Sequence, residues 1–396
     1  MCPRIEQVVE SICTAENNPK LRIAEGFSGS GVVSRSLAKY ASHLQVNDLA
    51  GYAESMSQCF LIPADDPATI QRYIDTANRL ADSTADSTDS TADSTNDCTD
   101  VSTDCTDDPS QSPRPFIAKH WAPADDRAIQ PGERTYYTTA NAKRIDTIRD
   151  YIDTLPCFIQ PYLLAPLLIE ASIHVNTNGQ FASFFKSNGV GCFGGTNAVD
   201  IKRITQPIRL PRYIVPAHAA DTDTIETIVS RLDANEWAAA MQPADITYYD
   251  PPYNQHPYNI YYFLLDIIHQ WDKNMVVPPT YRGQPKGWLR SNYNSSVKAS
   301  DAFHNLFSAT KSKYIVVSYN EGGIVPQKEF DAIAAAYGTV TKYAFDHAPY
   351  NKLKGLSAYK AGDGPGRGVK EFLYIILRGE GTPPGPLGAS PHTPAA

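Results

Sequence analysis

Ile246-Thr247-Tyr248-Tyr249-Asp250-Pro251-Pro252-Tyr253 is an apolar run that stops at an acid, two prolines and an aromatic ring. Extended back to Ala244, its first half has the composition of a buried strand. Proline has no N–H to give a ladder, so the strand ends here and Asp250 stands at its carboxyl end. At that position the Asp250 carboxylate can accept one hydrogen bond from an exocyclic amine and the Pro251 carbonyl a second, while Pro252 helps fix the backbone. Such a grip withdraws the amine lone pair from its ring, and Tyr253 offers a flat face for an extruded base. A plain Pro-Pro turn after a strand would use the same residues, with Asp250 as a turn former. The string therefore needs a second site before it carries a function.

That site lies near the other end of the chain. Leu21 to Ala24 reads as a short strand running into Phe27-Ser28-Gly29-Ser30-Gly31, followed by an amphipathic stretch from Val32 to Tyr40. Gly29 and Gly31 permit a tight strand-to-helix turn that brings backbone close to a ligand, and Phe27 can pack on the ligand's flat part. Gln45-Val46-Asn47-Asp48 looks like the end of a second strand, where Asp48 can accept protons from both hydroxyls of a ribose. A glycine turn by itself is equally a structural turn. The order glycine loop, ribose acid, amine-holding string is much harder to reach by accident.

With these residues in this order the chain resembles the adenine-specific DNA methyltransferases of the Dam-like type, in which an FxGxG loop precedes a DPPY motif. Pro131 to Thr138, Asn141 to Asp146, Glu170 to Asn176, Phe193-Gly194-Gly195, Asp250 to His256, Trp288 to Ser291 and Tyr314 to Asn320 also look like family segments. The resemblance covers most of Leu21 to Leu377 outside one insertion. It implies an α/β fold of the S-adenosylmethionine-dependent methyltransferase kind: a Rossmann-like mixed sheet with an antiparallel last strand and an inserted target-recognition region. S-adenosylmethionine is the implied methyl donor and double-stranded DNA the implied partner, with a cognate restriction endonuclease where the protein serves a restriction-modification system. Aspartate at the first motif position points to the adenine amino group. Phe27, Ser28, Gly29, Gly31 and Asp48 are the implied cofactor residues, and Asp250, Pro251, Pro252 and Tyr253 the catalytic ones. The family's Gly/Lys-containing motif upstream of the glycine loop has no evident match in Met1 to Lys20, so a truncated start is one expectation. Ala24-Glu25-Gly26 likewise departs from the more apolar approach to the phenylalanine, usually with Asp, that the family shows.

Spacing extends the α/β reading. Ile145, Ile148 and Ile152 recur at helical intervals, as do Ile225, Ile228, Val229 and Leu232, while Tyr314 to Tyr319 reads as a buried strand. Lys342 to Phe345 and Phe372 to Leu377 are the antiparallel pair that the resemblance implies. The expected organisation is a cofactor-binding half at 1–80, a disordered Asp/Ser/Thr repeat at 81–110, target recognition at 111–240, a catalytic half at 241–379 and a disordered tail at 380–396.

A formal charge of −8 conflicts with phosphate binding until its source is located. Of 43 acidic residues, nine are aspartates between Asp82 and Asp108, a tract without Lys or Arg, which leaves 34 acids against 35 basic residues elsewhere. A run of Asp, Ser and Thr cannot offset its ordering entropy, and an expanded surface repeat is the simplest reading of it. Basic residues interleaved with aromatics suit a nucleic-acid groove, which singles out Arg282, Lys286 and Arg290; Lys354 and Arg367 fall in a glycine-rich stretch suited to phosphates.

Nine histidines show no metal-ligand spacing, and methyl transfer from a sulfonium needs no metal. His256 is not needed as a base, because a methylated amine is a cation that loses its proton readily. Seven cysteines without a CxxC pair, no long apolar segment and no secretory leader point to the cytoplasm and away from a membrane. Two other readings keep parts of the pattern: a catalytically silent DNA-binding homologue, and an RNA adenine methyltransferase.

Overall fold

The computed structural model of the protein describes residues 1–86, 115–177, 180–195, 198, 200–220, 225–255, 258–287, 291–347 and 369–380. Two compact units are present, one formed by Met1–Asp65, Ile214–Tyr261 and Gly287–Ala396, the other by Asp66–Tyr213 and Tyr262–Lys286.

The first unit is built on seven strands: β1 (Leu21–Glu25), β2 (Ala41–Asn47), β5 (Glu226–Ser230), β6 (Ala244–Tyr249), β7 (Ser312–Asn320), β8 (Thr339–His347) and β9 (Val369–Leu377). Their spatial order is β5-β2-β1-β6-β7-β9-β8. The first five run parallel, and β9 lies antiparallel between β7 and β8. This mixed sheet with its antiparallel end is the methyltransferase architecture that the resemblance implies.

Successive residues of a strand point to opposite faces, and here each face has its own core. On one face Ile23, Ile246, Tyr248, Val316 and Leu373 pack with Ile5, Val8, Val9 and Ile12 of helix α1 (Cys2–Ala15). On the other, Ala24, Tyr249, Val317, Phe372 and Tyr374 pack with Trp237, Phe303, Phe307 and Phe330. Those last four rings come from α9 (Ala234–Ala240), α11 (Ala299–Ala309) and α12 (Gln327–Ala335). The short α2 (Val32–Leu37) follows the glycine loop, and α3 (Gly51–Leu61) follows β2.

One local expectation needs correction. Ile225, Ile228, Val229 and Leu232 are not on a helix: Glu226–Ser230 is the edge strand β5, paired in parallel with β2. Its residues are half-buried or exposed, so the alternation that marks a strand is missing, and β-branched Thr227, Ile228 and Val229 prevail over an accidental helical spacing. Helix α1, by contrast, was not foreseen, although Ile5, Val8, Val9 and Ile12 have the spacing of one helical face.

The second unit contains α4 (Pro67–Asp86), α5 (Phe116–Trp121), α6 (Thr139–Asp153), α7 (Pro161–Ile173), the hairpin β3 (Lys186–Ser187) and β4 (Val190–Gly191), α8 (Ile201–Thr205) and most of α10 (Tyr258–Gln270). The α6 side chains Ile145, Ile148 and Ile152 are fully buried, as their spacing predicts. Helix α10 is broken at Tyr262 (φ −127°, ψ 19°), where the chain passes from one unit to the other. Helix α4 runs through the beginning of the acidic repeat rather than stopping before residue 81. There Asp82 accepts from Arg144 at 2.8 Å and from Arg209 at 3.0 Å, and the Arg144 side chain is only 8% exposed. The rest of the repeat, the residues that follow it to 114, and the tail from 381 lie outside the described residues. Among the described residues no helix is long and apolar enough to cross a membrane.

Candidate active site

Parallel pairing brings together segments that are far apart in sequence. Glu25 of β1 sits opposite Val46 of β2 and Tyr248 of β6, so the loops leaving these three strands emerge side by side from one sheet edge. Open α/β sheets bind ligands at this carboxyl edge.

The first loop departs tightly from β1. Gly26 N–H donates to the Tyr248 carbonyl at 3.0 Å, and Gly31 N–H closes a turn onto Ser28 O at 2.8 Å. Gly29 (φ 51°) and Gly31 (φ 70°) both occupy the left-handed region that favours glycine. A Cβ on Gly29 would meet no protein atom within 4 Å, so its backbone faces open space. Ser28 N–H donates to Asn47 O at 3.0 Å and ties the loop to the end of β2.

Asp48 braces this loop from the side. One carboxylate oxygen accepts Gly29 N–H at 2.8 Å and the other accepts Ala50 N–H at 2.9 Å. Burial raises its pKa, and the backbone donors work against that rise. The proposed ribose acid thus already holds the glycine turn in shape, and with Leu49 N–H also donating to it, three of the roughly four acceptor sites of its carboxylate are taken. Phe27, expected to lie on a ligand's flat part, already meets Tyr249 and Tyr293 edge to face, with centroids 6.1 and 5.3 Å away.

Strand β6 is pinned on both faces before it ends. Tyr248 Oη and Ser318 Oγ are 2.7 Å apart, as are Tyr249 Oη and Thr310 Oγ1. Beyond it, two bonds strap the Asp250–Tyr253 loop: Ile324 N–H donates to Tyr253 O at 3.1 Å, and Asn294 Nδ2 donates to Asn254 O at 2.7 Å. Pro251 is buried beneath Asp250, Pro252 and Tyr253 are half-buried, and the Tyr253 ring packs against the core.

Asp250 is exposed at the carboxyl end of β6, yet the protein packed around its carboxyl group withdraws it from bulk water. That desolvation lifts its carboxyl to about 7, and the like charge of Glu371 adds to the rise. Glu371 lies on β9 opposite Asn320 of β7. Glu25, 1% exposed, accepts a hydrogen bond from Ser34 Oγ, yet burial still pushes it up to about 8, with Asp250 and Asp48 contributing like charge. One sheet edge therefore gathers carboxylates that favour a cationic guest.

Glu371 and Ile324 carry no sequence motif, and Asn294, which the sequence groups with Arg282, Lys286 and Arg290 as a nucleic-acid candidate, instead straps the loop. The remaining nucleic-acid candidates are not all placed. Arg282 is half-buried and Lys286 exposed, both in the second unit. Arg290, Lys354 and Arg367 lie outside the described residues, and so do His256 and Trp288.

Residues 5–330 match the family model described as D12 class N6 adenine-specific DNA methyltransferase. Among curated proteins, the chain is 27% identical over 257 residues to Modification methylase StsI of Streptococcus sanguinis, covering 62% of this chain and 35% of that protein. It is 26% identical over 253 residues to Type II methyltransferase M.FokI of Planomicrobium okeanokoites, with coverage of 62% and 35%. Against Type II methyltransferase M.CviAII of Paramecium bursaria Chlorella virus 1 the identity is 25% over 253 residues, covering 62% and 67%. The matches thus span about a third of the length of the first two relatives.

Proposed function

Because this chain belongs to the D12 class N6 adenine-specific DNA methyltransferases, we propose that it transfers a methyl group from S-adenosylmethionine to the 6-amino group of adenine in duplex DNA. The observation that carries this reading is the adjacency of the Gly29–Gly31 turn and the Asp250–Tyr253 loop on one sheet edge. The modification half of a restriction-modification system is the role that the relatives' names favour, and the cytoplasm is its proposed place of work.

The residues present fit the cofactor. Open space over Gly29 leaves room for a ligand against the backbone, and the Asp48 carboxylate beside it keeps acceptor capacity for a ribose hydroxyl. Phe27, Ser28 and Gly31 complete that side, and the raised Glu25 carboxyl awaits positive charge. When bound, S-adenosylmethionine supplies a methyl group on a positively charged sulfur.

The chain's own residues select and hold the amine. Asp250 and the Pro251 carbonyl each accept a hydrogen bond from one of its two N–H groups, which localises the nitrogen lone pair toward the methyl donor. Tyr253 supplies a stacking face for a base taken out of the duplex. Pro252 and the strap from Asn294 and Ile324 keep the loop in place, so the rate gain comes from positioning. Arg282, Lys286, Arg290, Lys354 and Arg367 are the proposed phosphate or base contacts.

Sequencing that maps modified adenines in DNA from cells expressing the chain tests activity, base and site together. The expected result is methylation at one short sequence, lost in Asp250→Ala. Methylation of structured RNA but not duplex DNA would overturn the substrate, and undiminished methylation by Asp250→Ala would overturn the mechanism.

A further inference from the structure

We propose that the turn carrying Tyr281 and Arg282, together with Lys186 of the β3–β4 hairpin, is a contact for the sugar-phosphate backbone of DNA. The proposal rests on the DNA-modifying function argued above and concerns the second unit alone.

The turn is built from beneath. Gly283 N–H closes it onto Thr280 O at 2.9 Å, with Gly283 at φ 62°. The Arg134 guanidinium donates from Nη2 to Pro278 O at 2.9 Å and Thr280 O at 2.7 Å, from Nε to Thr280 O at 3.3 Å, and from Nη1 to His120 O at 2.8 Å. Trp121 Nε1 donates to Arg282 O at 3.1 Å. A Cβ on Gly283 would stand 2.8 Å from Arg134 Cζ, so glycine is required both by the backbone and by the guanidinium beneath it.

On this support sits an aromatic ring between two cations. Tyr281 is 47% exposed, unusual for a large ring with no core to fill. Lys186 Nζ lies 4.3 Å from its centroid and 4.9 Å from that of buried Phe184. Arg282 Cζ lies 5.0 Å from the Tyr281 centroid, and its Nε donates to Tyr281 Oη at 2.5 Å. The hairpin that presents Lys186 turns through Asn188 (φ 49°) and Gly189 (φ 85°), the positive-φ pair of a tight two-residue connection. Its position is therefore set by backbone geometry.

Among the described residues no carboxylate lies within ion-pair distance of Arg134, Lys186 or Arg282. Cation–π contacts at an exposed site contribute only about 0.5–1 kcal/mol each, too little to balance neighbouring like charges by themselves. An anion in front of the ring would complete the arrangement. Lys186 Nζ and the Arg282 guanidinium can each donate to a phosphate oxygen, and such contacts position a duplex without reading its sequence.

The test is a titration of two fluorescent duplexes, one of random sequence and one carrying the mapped methylation site, across a salt series. Lys186→Ala/Arg282→Ala and Tyr281→Ala are compared with the parent and with Lys20→Ala, a control at the opposite, amino end of the strands. The double variant should bind both duplexes about tenfold more weakly, with a log K against log salt slope shallower by about two, and its melting temperature should be unchanged. Unchanged affinity and slope in a folded double variant would overturn the proposal. So would a loss confined to the duplex with the methylation site, since that marks base reading. A parent protein that binds no duplex at any salt would remove the functional reading itself, and this contact with it.

Discussion

Asp250 has to be ionised to grip an amine well, yet its surroundings favour the neutral form, with a carboxyl near 7. A raised carboxyl is protonated below its pKa, so the active fraction grows as pH rises through that value. The acid limb of a kcat/KM profile for methylation is therefore expected near pH 7, well above that of an ordinary aspartate, and absent from Asp250→Asn. An acid limb at pH 4 would contradict this environment. Asn294 tests the strap separately: Asn294→Ala should lower kcat about tenfold, the scale of one lost hydrogen bond, with S-adenosylmethionine affinity measured by calorimetry unchanged. At this scale the sequence shows residues whose chemistry is unusual for their place. Asp250 beside two prolines and Gly29 before Gly31 stand out in this way. Asn294 cannot, because its bond crosses 40 positions to a backbone carbonyl and leaves no local pattern.

Among the elements, β1 and β6 approach so closely that Gly26 has no room for a side chain. An added Cβ would lie 2.4 Å from Tyr249 Cε1 and 3.2 Å from Trp237 Cζ3. Gly26→Ala should destabilise the protein by about 1–3 kcal/mol in urea unfolding, with Tyr249 and Trp237 forced to move. A change below 0.5 kcal/mol would mean that this ring can yield. Strands β7 and β9 were legible because Tyr314–Val317 and Phe372–Leu377 are continuous apolar runs at a depth where both faces are covered. Strand β5 was not, because an edge strand with half-buried residues gives up the periodicity by which strands are recognised.

For the molecule as a whole, net charge gives a misleading picture of its surface. Residues 87–108 hold seven aspartates and no Lys or Arg, so their excision moves the formal charge from −8 to −1. Affinity for duplex DNA should then rise at low salt and converge with the parent at high salt, as fluorescence titration would show. Equal affinity at low salt would mean that the repeat's field does not reach the binding surface. One crossing between the units was hidden: inside α10 it is a backbone kink at Tyr262, with no glycine, proline or linker composition to announce it.

The place of β9 between β7 and β8 has a consequence for synthesis. A ribosome completes β7 at residue 320 and β8 at 347, but the strand that joins them begins only at Val369. Until it emerges, β8 has no neighbour, and β7 presents an open row of backbone donors and acceptors on the catalytic sheet. Nascent chains stalled anywhere in that interval should be the species most prone to sticking to one another, and the ones that most need a chaperone.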